Sequence, residues 1–333
     1  MTIEEKRNTG LKICIITAQF GRLPSNVELW LKSCKWNPQI DFIVCSDMET
    51  ENIPANVRWI KMNFKDFKSL AESKLGMEVC LDTPYECCDL KTVYGLIFAD
   101  ALEDYDYWGY CDMDLVFGDL NWFFIKHELY KYDKFLHFGH LSLMRNTPEN
   151  NQRYKLPCNE GRGYLDAFTS SGSMHFDENE INQIYKVYSF PFFDTRLAAD
   201  ISPVYRRMRL GGDGVNYKHQ CFFWQNGKLW RAYLARTNTW KGVVLDEFAY
   251  IHFQKRKMAA PDFDVESTDR FYICSDCFIR KEKIGYPSID DLNVVNPYPG
   301  RFVEFYELFR CRISGIWNYK IKSKMTRHSN GVK

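Results

Sequence analysis

Asp112 and Asp114, two carboxylates one residue apart, close the aromatic run Tyr107-Trp108-Gly109-Tyr110-Cys111. That run reads as a buried strand, where isolated charges are expensive to keep. A divalent cation relieves the cost. Mg²⁺ and Mn²⁺ take carboxylate oxygens and leave positions for substrate phosphates. A cation held there stabilises the charge that builds on a departing diphosphate. An Asp-x-Asp pair is common by chance, but the aromatic strand before it and Leu115-Val116-Phe117-Gly118 after it give this one a context.

His252 is the second residue of interest. It sits on the apolar stretch 248–254, ahead of Lys255, Arg256 and Lys257. A lone histidine on an apolar strand is usually a core residue. The basic run behind it favours a ligand role, since imidazole suits Mn²⁺ and Lys or Arg can hold diphosphate oxygens. An acid or base is also needed for an inverting transfer, to deprotonate an acceptor hydroxyl. Asp177, Glu178, Asp200 and Asp213 are the candidates, and each could equally cap a helix or turn.

The elements that must position these groups follow from the hydrophobic pattern. Residues 12–18, 41–47 and 57–62 read as strands, and 26–36 and 63–76 as helices. Residues 88–102 read as one helix, 106–120 as a strand running into a turn, and 121–130 as a short helix. This alternation predicts an α/β fold with a mostly parallel central sheet flanked by helices. After position 120 the pattern is less regular. Residues 135–146 read as one or two strands, 147–175 as loop, 178–188 as helix, and 228–235 and 248–254 as strands. The first strand ends in Thr17-Ala18-Gln19-Phe20-Gly21-Arg22, and Asp47 closes the second. Loops at such strand ends carry ligands in open α/β sheets.

The Asp-x-Asp context resembles the GT-A glycosyltransferases, whose sheet is Rossmann-like. More narrowly it resembles an uncharacterised bacterial family found among capsule and lipopolysaccharide genes. The closer resemblance is carried by Cys88-Asp89-Leu90-Lys91, Tyr94-Gly95, Trp108 to Asp114, Gly118-Asp119 and Tyr250-Ile251-His252-Phe253-Gln254-Lys255. It implies a hexosyltransferase using a nucleotide-diphosphate-sugar donor, a UDP-sugar favoured, and a glycan or lipid-linked glycan acceptor. Mn²⁺ or Mg²⁺ would be held by Asp112, Asp114 and His252, with Lys255 on the diphosphate, as in glycogenin-like and lipopolysaccharide galactosyltransferase families. The loop from Thr17 to Arg22, Asp47, Lys91 and Tyr94 would meet the nucleotide, together with Asp112. The expected organisation is one GT-A-like domain over 1–300. Its nucleotide-binding half is 10–120 and its acceptor and metal-completing half 121–300, with a basic amphipathic tail at 301–333.

Composition narrows the classes. The chain has 44 Lys+Arg against 43 Asp+Glu, so no strong field draws it to nucleic acid. Its start lacks a secretory h-region and it has no run of membrane-spanning length, which predicts a cytoplasmic protein with reduced thiols. The tail, with Phe302, Phe305, Tyr306, Phe309, Ile313 and Trp317 among basic residues, reads as a docked helix or as one lying on the inner face of an anionic membrane. Aromatics reach 16%, mostly for core packing, with one or two of their clusters able to stack on sugar or base rings.

Two rivals and a minor site remain. Asp112 to Val116 also matches the nucleophile motif of haloacid-dehalogenase-type phosphatases, with Gly212 to Asn216 as their later Mg²⁺ loop. A whole α/β unit precedes the motif, and Arg206 to Leu210 is charged, which counts against them. A non-catalytic nucleotide-sugar-binding protein is the other. Cys274-x-x-Cys277 is a single pair, short of the four ligands zinc needs.

Overall fold

The computed structural model describes residues 10–158, 163–236, 241–281 and 287–314. Strands β1 (Ile13–Gln19), β2 (Ile40–Ser46) and β3 (Val57–Lys61) alternate with helices α1 (Val27–Lys35) and α2 (Phe64–Leu75). Asn63 caps α2 by accepting from the Asp66 N–H at 2.8 Å, and Gly76 ends it in the left-handed region. After α2 come the short helices α3 (Cys87–Leu90) and α4 (Tyr94–Ile97). Strands β4 (Tyr107–Cys111) and β5 (Leu115–Phe117) follow, then α5 (Leu120–Lys126), β6 (Lys134–Phe135) and β7 (Leu141–Arg145). Beyond them lie α6 (Tyr164–Thr169), α7 (Glu180–Val187), β8 (Phe192–Phe193) and β9 (Ala198–Asp200). The remaining elements are β10 (Gln220–Gln225), β11 (Lys228–Arg236), β12 (Lys241–Phe248), β13 (Tyr250–His252), β14 (Arg270–Ile273), β15 (Phe278–Arg280) and α8 (Ile289–Val295).

The main sheet runs β3-β2-β1-β4-β7-β6-β8. Its first four strands are parallel, while β7 is antiparallel to both β4 and β6. The buried, near-continuous apolar runs of β1, β2 and β4 suit a sheet covered on both faces. Helix α1 packs Trp30, Leu31 and Cys34 on one face, and α2 packs Phe67 and Ala71 on the other. The mixed α/β class with a mostly parallel central sheet is therefore the observed one.

A small second sheet, β5-β13-β9, is the element that matters most for the site. The chain leaves the main sheet after Cys111, makes the Asp112–Asp114 link, and enters β5 in this other sheet. Strand β13 lies between β5 and β9, pairing His252 with Leu115 on one side and Asp200 on the other. Behind it stands an antiparallel sheet, β12-β11-β10-β14-β15. Of these strands only β11 is marked by the sequence pattern.

Three expectations need correction. Residues 88–102 form α3 and α4 joined and followed by tight 3₁₀ turns rather than one helix. The turns set Gly95 directly against the Trp108 indole, where a Cβ would lie 2.3 Å from Cε2, and bury Lys91. Between the turn at 112–114 and the expected short helix lies a further strand, β5, which belongs to a different sheet. The stretch expected as loop over 147–175 includes the 3₁₀ turn Asn150–Lys155 and α6, with 159–162 outside the described residues.

Residues 301–314 are helical. Glu304 pairs with Arg207 (3.3 Å) and Arg209 (2.6 Å), while Phe302 is 85% exposed and Phe305, Tyr306 and Phe309 also face outward. Trp317, Lys320, Lys322, Lys324, Arg327 and Lys333 lie outside the described residues.

Candidate active site

The carboxyl ends of β1, β2 and β4 sit side by side, since Ile16 registers with both Ile43 and Tyr110. Everything at those ends converges on one edge, the place where open parallel sheets take ligands. Asn26, at the start of α1, fixes the Asp112–Asp114 link. Its side-chain amide donates to the carbonyls of Met113 (3.2 Å) and Leu115 (3.1 Å).

Asp112, Asp114 and His252 offer ligand atoms that all lie within 4.8 Å of one another. His252 Nε2 faces Asp114 Oδ1 at 3.5 Å, and Nδ1 is 2.8 Å from Asp200 Oδ1. Gln254 donates to the same Asp200 oxygen at 2.7 Å. A carboxylate on one ring nitrogen sets the tautomer that leaves the other free for a cation. The two aspartates are half-buried and open to solvent on one side, while His252 and Asp200 are buried. A hard cation fits this set, with coordination positions left for phosphate oxygens. Burial works against charge on the imidazole, but the carboxylates of Asp114 and Asp200 outweigh it and push His252 up to about 10. Any cation taking Nε2 must displace that proton.

Lys91 lies on the other side of Asp112. Its ammonium is 2.5 Å from Asp112 Oδ1, 3.0 Å from the Gly139 carbonyl and 3.4 Å from Asp177 Oδ2. Burial pulls it down, yet the two carboxylates hold it well above its ordinary value. Asp177 moves the other way. Burial raises its carboxyl to about 7 despite Lys91 alongside. The loop carrying Asp177 is fastened from below by Asp89, which accepts the Met174 and Phe176 N–H groups, each at 2.8 Å.

His140 was not singled out in the sequence. Its ring packs against His252, tilted by 34° with centroids 3.9 Å apart, and its Nε2 is 3.8 Å from Asp200. Its own backbone carbonyl accepts the Asp112 N–H at 3.1 Å. Burial, reinforced by the charge on His252, keeps the imidazole well below its ordinary value and neutral. The signal available in the sequence was His137 and His140 bracketing Gly139 within an apolar run, which resembles core packing.

The other candidates divide. Thr17 and Phe20 are buried, and Phe20 packs on Phe64 and Phe67 at 5.5 and 5.4 Å. Ala18, Gln19, Gly21 and Arg22 reach the surface of the same edge. Asp47 accepts the Gly21 N–H at 2.8 Å and so shapes that loop. Tyr94 is a correction: it is fully buried, edge-on to Phe67 and Phe98, and unable to face a nucleotide. Lys255 is exposed beyond His252. Its neighbour Arg256 is spent on the carbonyls of Ser202, Tyr205, Arg206, Arg207 and Ser275, a structural clamp.

Of the proposed acids, Glu178 accepts the Gly139 N–H at 3.1 Å and Asp200 serves His252. Asp213 stands 97% exposed beside Arg196 and joins no ligand cluster among the described residues. Asn216 ties its loop together through Leu210, so the Gly212–Asn216 segment is a self-contained turn. Cys274 and Cys277 close the β14–β15 turn, the Cys274 N–H donating to the Cys277 carbonyl at 2.9 Å, and neither joins a ligand cluster among the described residues.

A family model described as a family of unknown function (DUF6625) matches residues 15–282. No curated protein sequence matches the chain. Among solved structures it is similar to the galactosyltransferase LgtC in complex with donor and acceptor sugar analogs. The identity is 12% over 57% of this chain and 76% of that one, with a TM-score of 0.33. It is also similar to the glycosyltransferase GlyE of Streptococcus pneumoniae TIGR4, at 10% identity over 56% of this chain and 45% of that one, with a TM-score of 0.31. The chain thus spans less than half of GlyE's length, and likenesses this low assign nothing by themselves.

Proposed function

The chain belongs to that family of unknown function (DUF6625), and for it we propose divalent-metal-assisted transfer of a sugar from a nucleotide-diphosphate-sugar to a glycan acceptor. One observation carries the reading. Two segments distant in sequence, the 112–114 link and β13, bring Asp112, Asp114 and His252 to a single cation-sized gap at the carboxyl edge of a parallel sheet. Mn²⁺ or Mg²⁺ held there supplies charge neutralisation for the departing diphosphate. Among the chain's own groups, Asp200 orients His252, and Asn26 holds the Asp-x-Asp link in place. Lys91 keeps a positive charge beside Asp112, where a phosphate oxygen would sit, and the exposed Lys255 provides a second cation on the His252 side. The surface of the β1 loop at Ala18, Gln19 and Arg22 takes the nucleotide, a uridine diphosphate being our preferred donor. Asp177 is the carboxylate we retain for proton handling, because it shares the Lys91 ammonium with Asp112 and burial raises its carboxyl to about 7.

The test is nucleoside diphosphate release from a panel of UDP- and GDP-sugars. Release should require Mn²⁺ or Mg²⁺ and fall by about a hundredfold or more in Asp114→Asn, with the unfolding midpoint retained. Full activity after EDTA treatment, or phosphate release from phosphomonoesters in place of sugar transfer, would overturn the reading.

We further propose that the 301–314 helix rests on an anionic membrane surface in a capsule or lipopolysaccharide pathway. Its glutamate face is fixed to the body by Arg207 and Arg209, which leaves the aromatic face outward. No helix among the described residues is long and apolar enough to cross a membrane. Salt-sensitive sedimentation with anionic vesicles, lost on deleting 301–333, is expected; equal binding by the truncated chain would refute it.

A further inference from the structure

We propose that a cleft of about 970 Å³, at the far end of β5 from Asp114, is a binding site for a neutral oligosaccharide. The C-terminal end of α1, the start of α5 and the Asn226-Gly227 turn between β10 and β11 enclose it. None of the cation ligands lines it. Asp119, on its wall, is five residues past Asp114, at most about 16 Å along an extended chain. The volume sits at the upper end of the roughly 300–1,000 Å³ typical of ligand sites.

Two tryptophans give the cleft its chemistry. Trp36 and Trp122 each remain 40% exposed. Trp36 is held rigidly. Its ring stands edge-on to Trp224 at 5.6 Å and 85°. Gly227, at φ +77°, presses on it so closely that a Cβ would fall 2.7 Å from Cε3. Only glycine meets both demands. A fixed indole with an open side is a platform for the C–H face of a sugar ring, because the ring face carries partial negative charge. Gln39 and Asp269 on the same walls can hydrogen-bond hydroxyl groups.

Charge decides between ligand classes. The lysines lining the cleft are already engaged. Lys32 donates to the Glu266 carbonyl (3.0 Å), Lys35 to its carboxylate (2.6 Å), and Lys228 lies 3.3 Å from Glu247. Asp119, Glu266 and Asp269 balance them, so nothing here favours a nucleotide or a polyanion. Shape adds that the ligand is a chain. Trp122 also lines an adjoining hollow of about 520 Å³, so it stands between two depressions on one track. The inference is independent of sugar transfer at the Asp112–Asp114 edge.

The experiment titrates the full chain with cellohexaose, maltohexaose and chitohexaose, and with a hyaluronan hexasaccharide as the anionic control. Tryptophan fluorescence and saturation-transfer NMR provide the readout. At least one neutral hexasaccharide should bind, and Trp36→Ala and Trp122→Ala should each weaken it by about tenfold. Asp114→Asn should leave it unchanged. Trp36 also packs on Trp224, so Trp122→Ala and Gln39→Ala carry the test if Trp36→Ala unfolds. The proposal is overturned if no neutral sugar binds, if the tryptophan variants bind as the parent does, if only hyaluronan binds, or if Asp114→Asn abolishes binding.

Discussion

His252 Nδ1 lies 2.8 Å from Asp200 Oδ1, the two residues held opposite each other by the parallel register of β13 on β9. A pair fixed by backbone pairing keeps its geometry without a bound cation. It presents the second imidazole nitrogen to Asp114, which is the arrangement that metal-ligating histidines use.

Asp200→Asn should therefore weaken Mn²⁺ binding by about 10- to 100-fold, the usual cost of losing a carboxylate behind a ligating histidine. Isothermal titration with Mn²⁺ checks it, alongside a thermal unfolding control. Unchanged affinity would mean that His252 does not ligate the cation.

Lys134 gives a pH signature. It is fully buried, donating to the Leu136 carbonyl and to Ser142, with its ammonium 4.7 Å from the Phe192 ring. Burial pulls it down to about 7, with only weak support from Asp194 and Asp177. Between about pH 7 and pH 10 the unfolded chain binds this proton and the native chain does not. Lys134 by itself therefore makes stability rise with pH in that window, by up to about 1.4 kcal/mol per unit, while His252, pushed up to about 10, works in the opposite direction, so the signature is the difference between the parent and a Lys134 variant. Lys134→Met should remove the rising part and stabilise the protein relative to the parent most at pH 6, where the buried charge costs most. Urea unfolding of both proteins at pH 6, 8 and 9.5 is the measurement, and parallel profiles would contradict the assignment.

Gly95→Ala forces a methyl into the Trp108 indole, which is itself buried and tied to Asn151 through Nε1 at 2.7 Å. Overpacking of this kind costs about 1–3 kcal/mol. The urea midpoint should fall with the slope unchanged. A midpoint equal to the parent's would show that the indole yields without cost.

The sequence by itself determined the first half of this protein. Apolar runs at Ile13–Gln19, Ile40–Ser46 and Val57–Lys61, separated by helical periodicity, are local signals, and local signals suffice for strands covered on both faces. The singling out of Asp112, Asp114 and His252 was also legible, because residue type and strand context are read one position at a time. Which groups meet is a different kind of fact. His252 and Asp200 face each other only because β13 pairs with β9, and His140 packs against that imidazole from a third segment. Lys91, expected to meet the nucleotide, is buried against Asp112 because the helix that carries it breaks into tight turns. Trp36 and Trp122 flank one cleft although α1 and α5 are distant in the chain. Register and packing over long sequence separations create these pairs, and no local pattern encodes them.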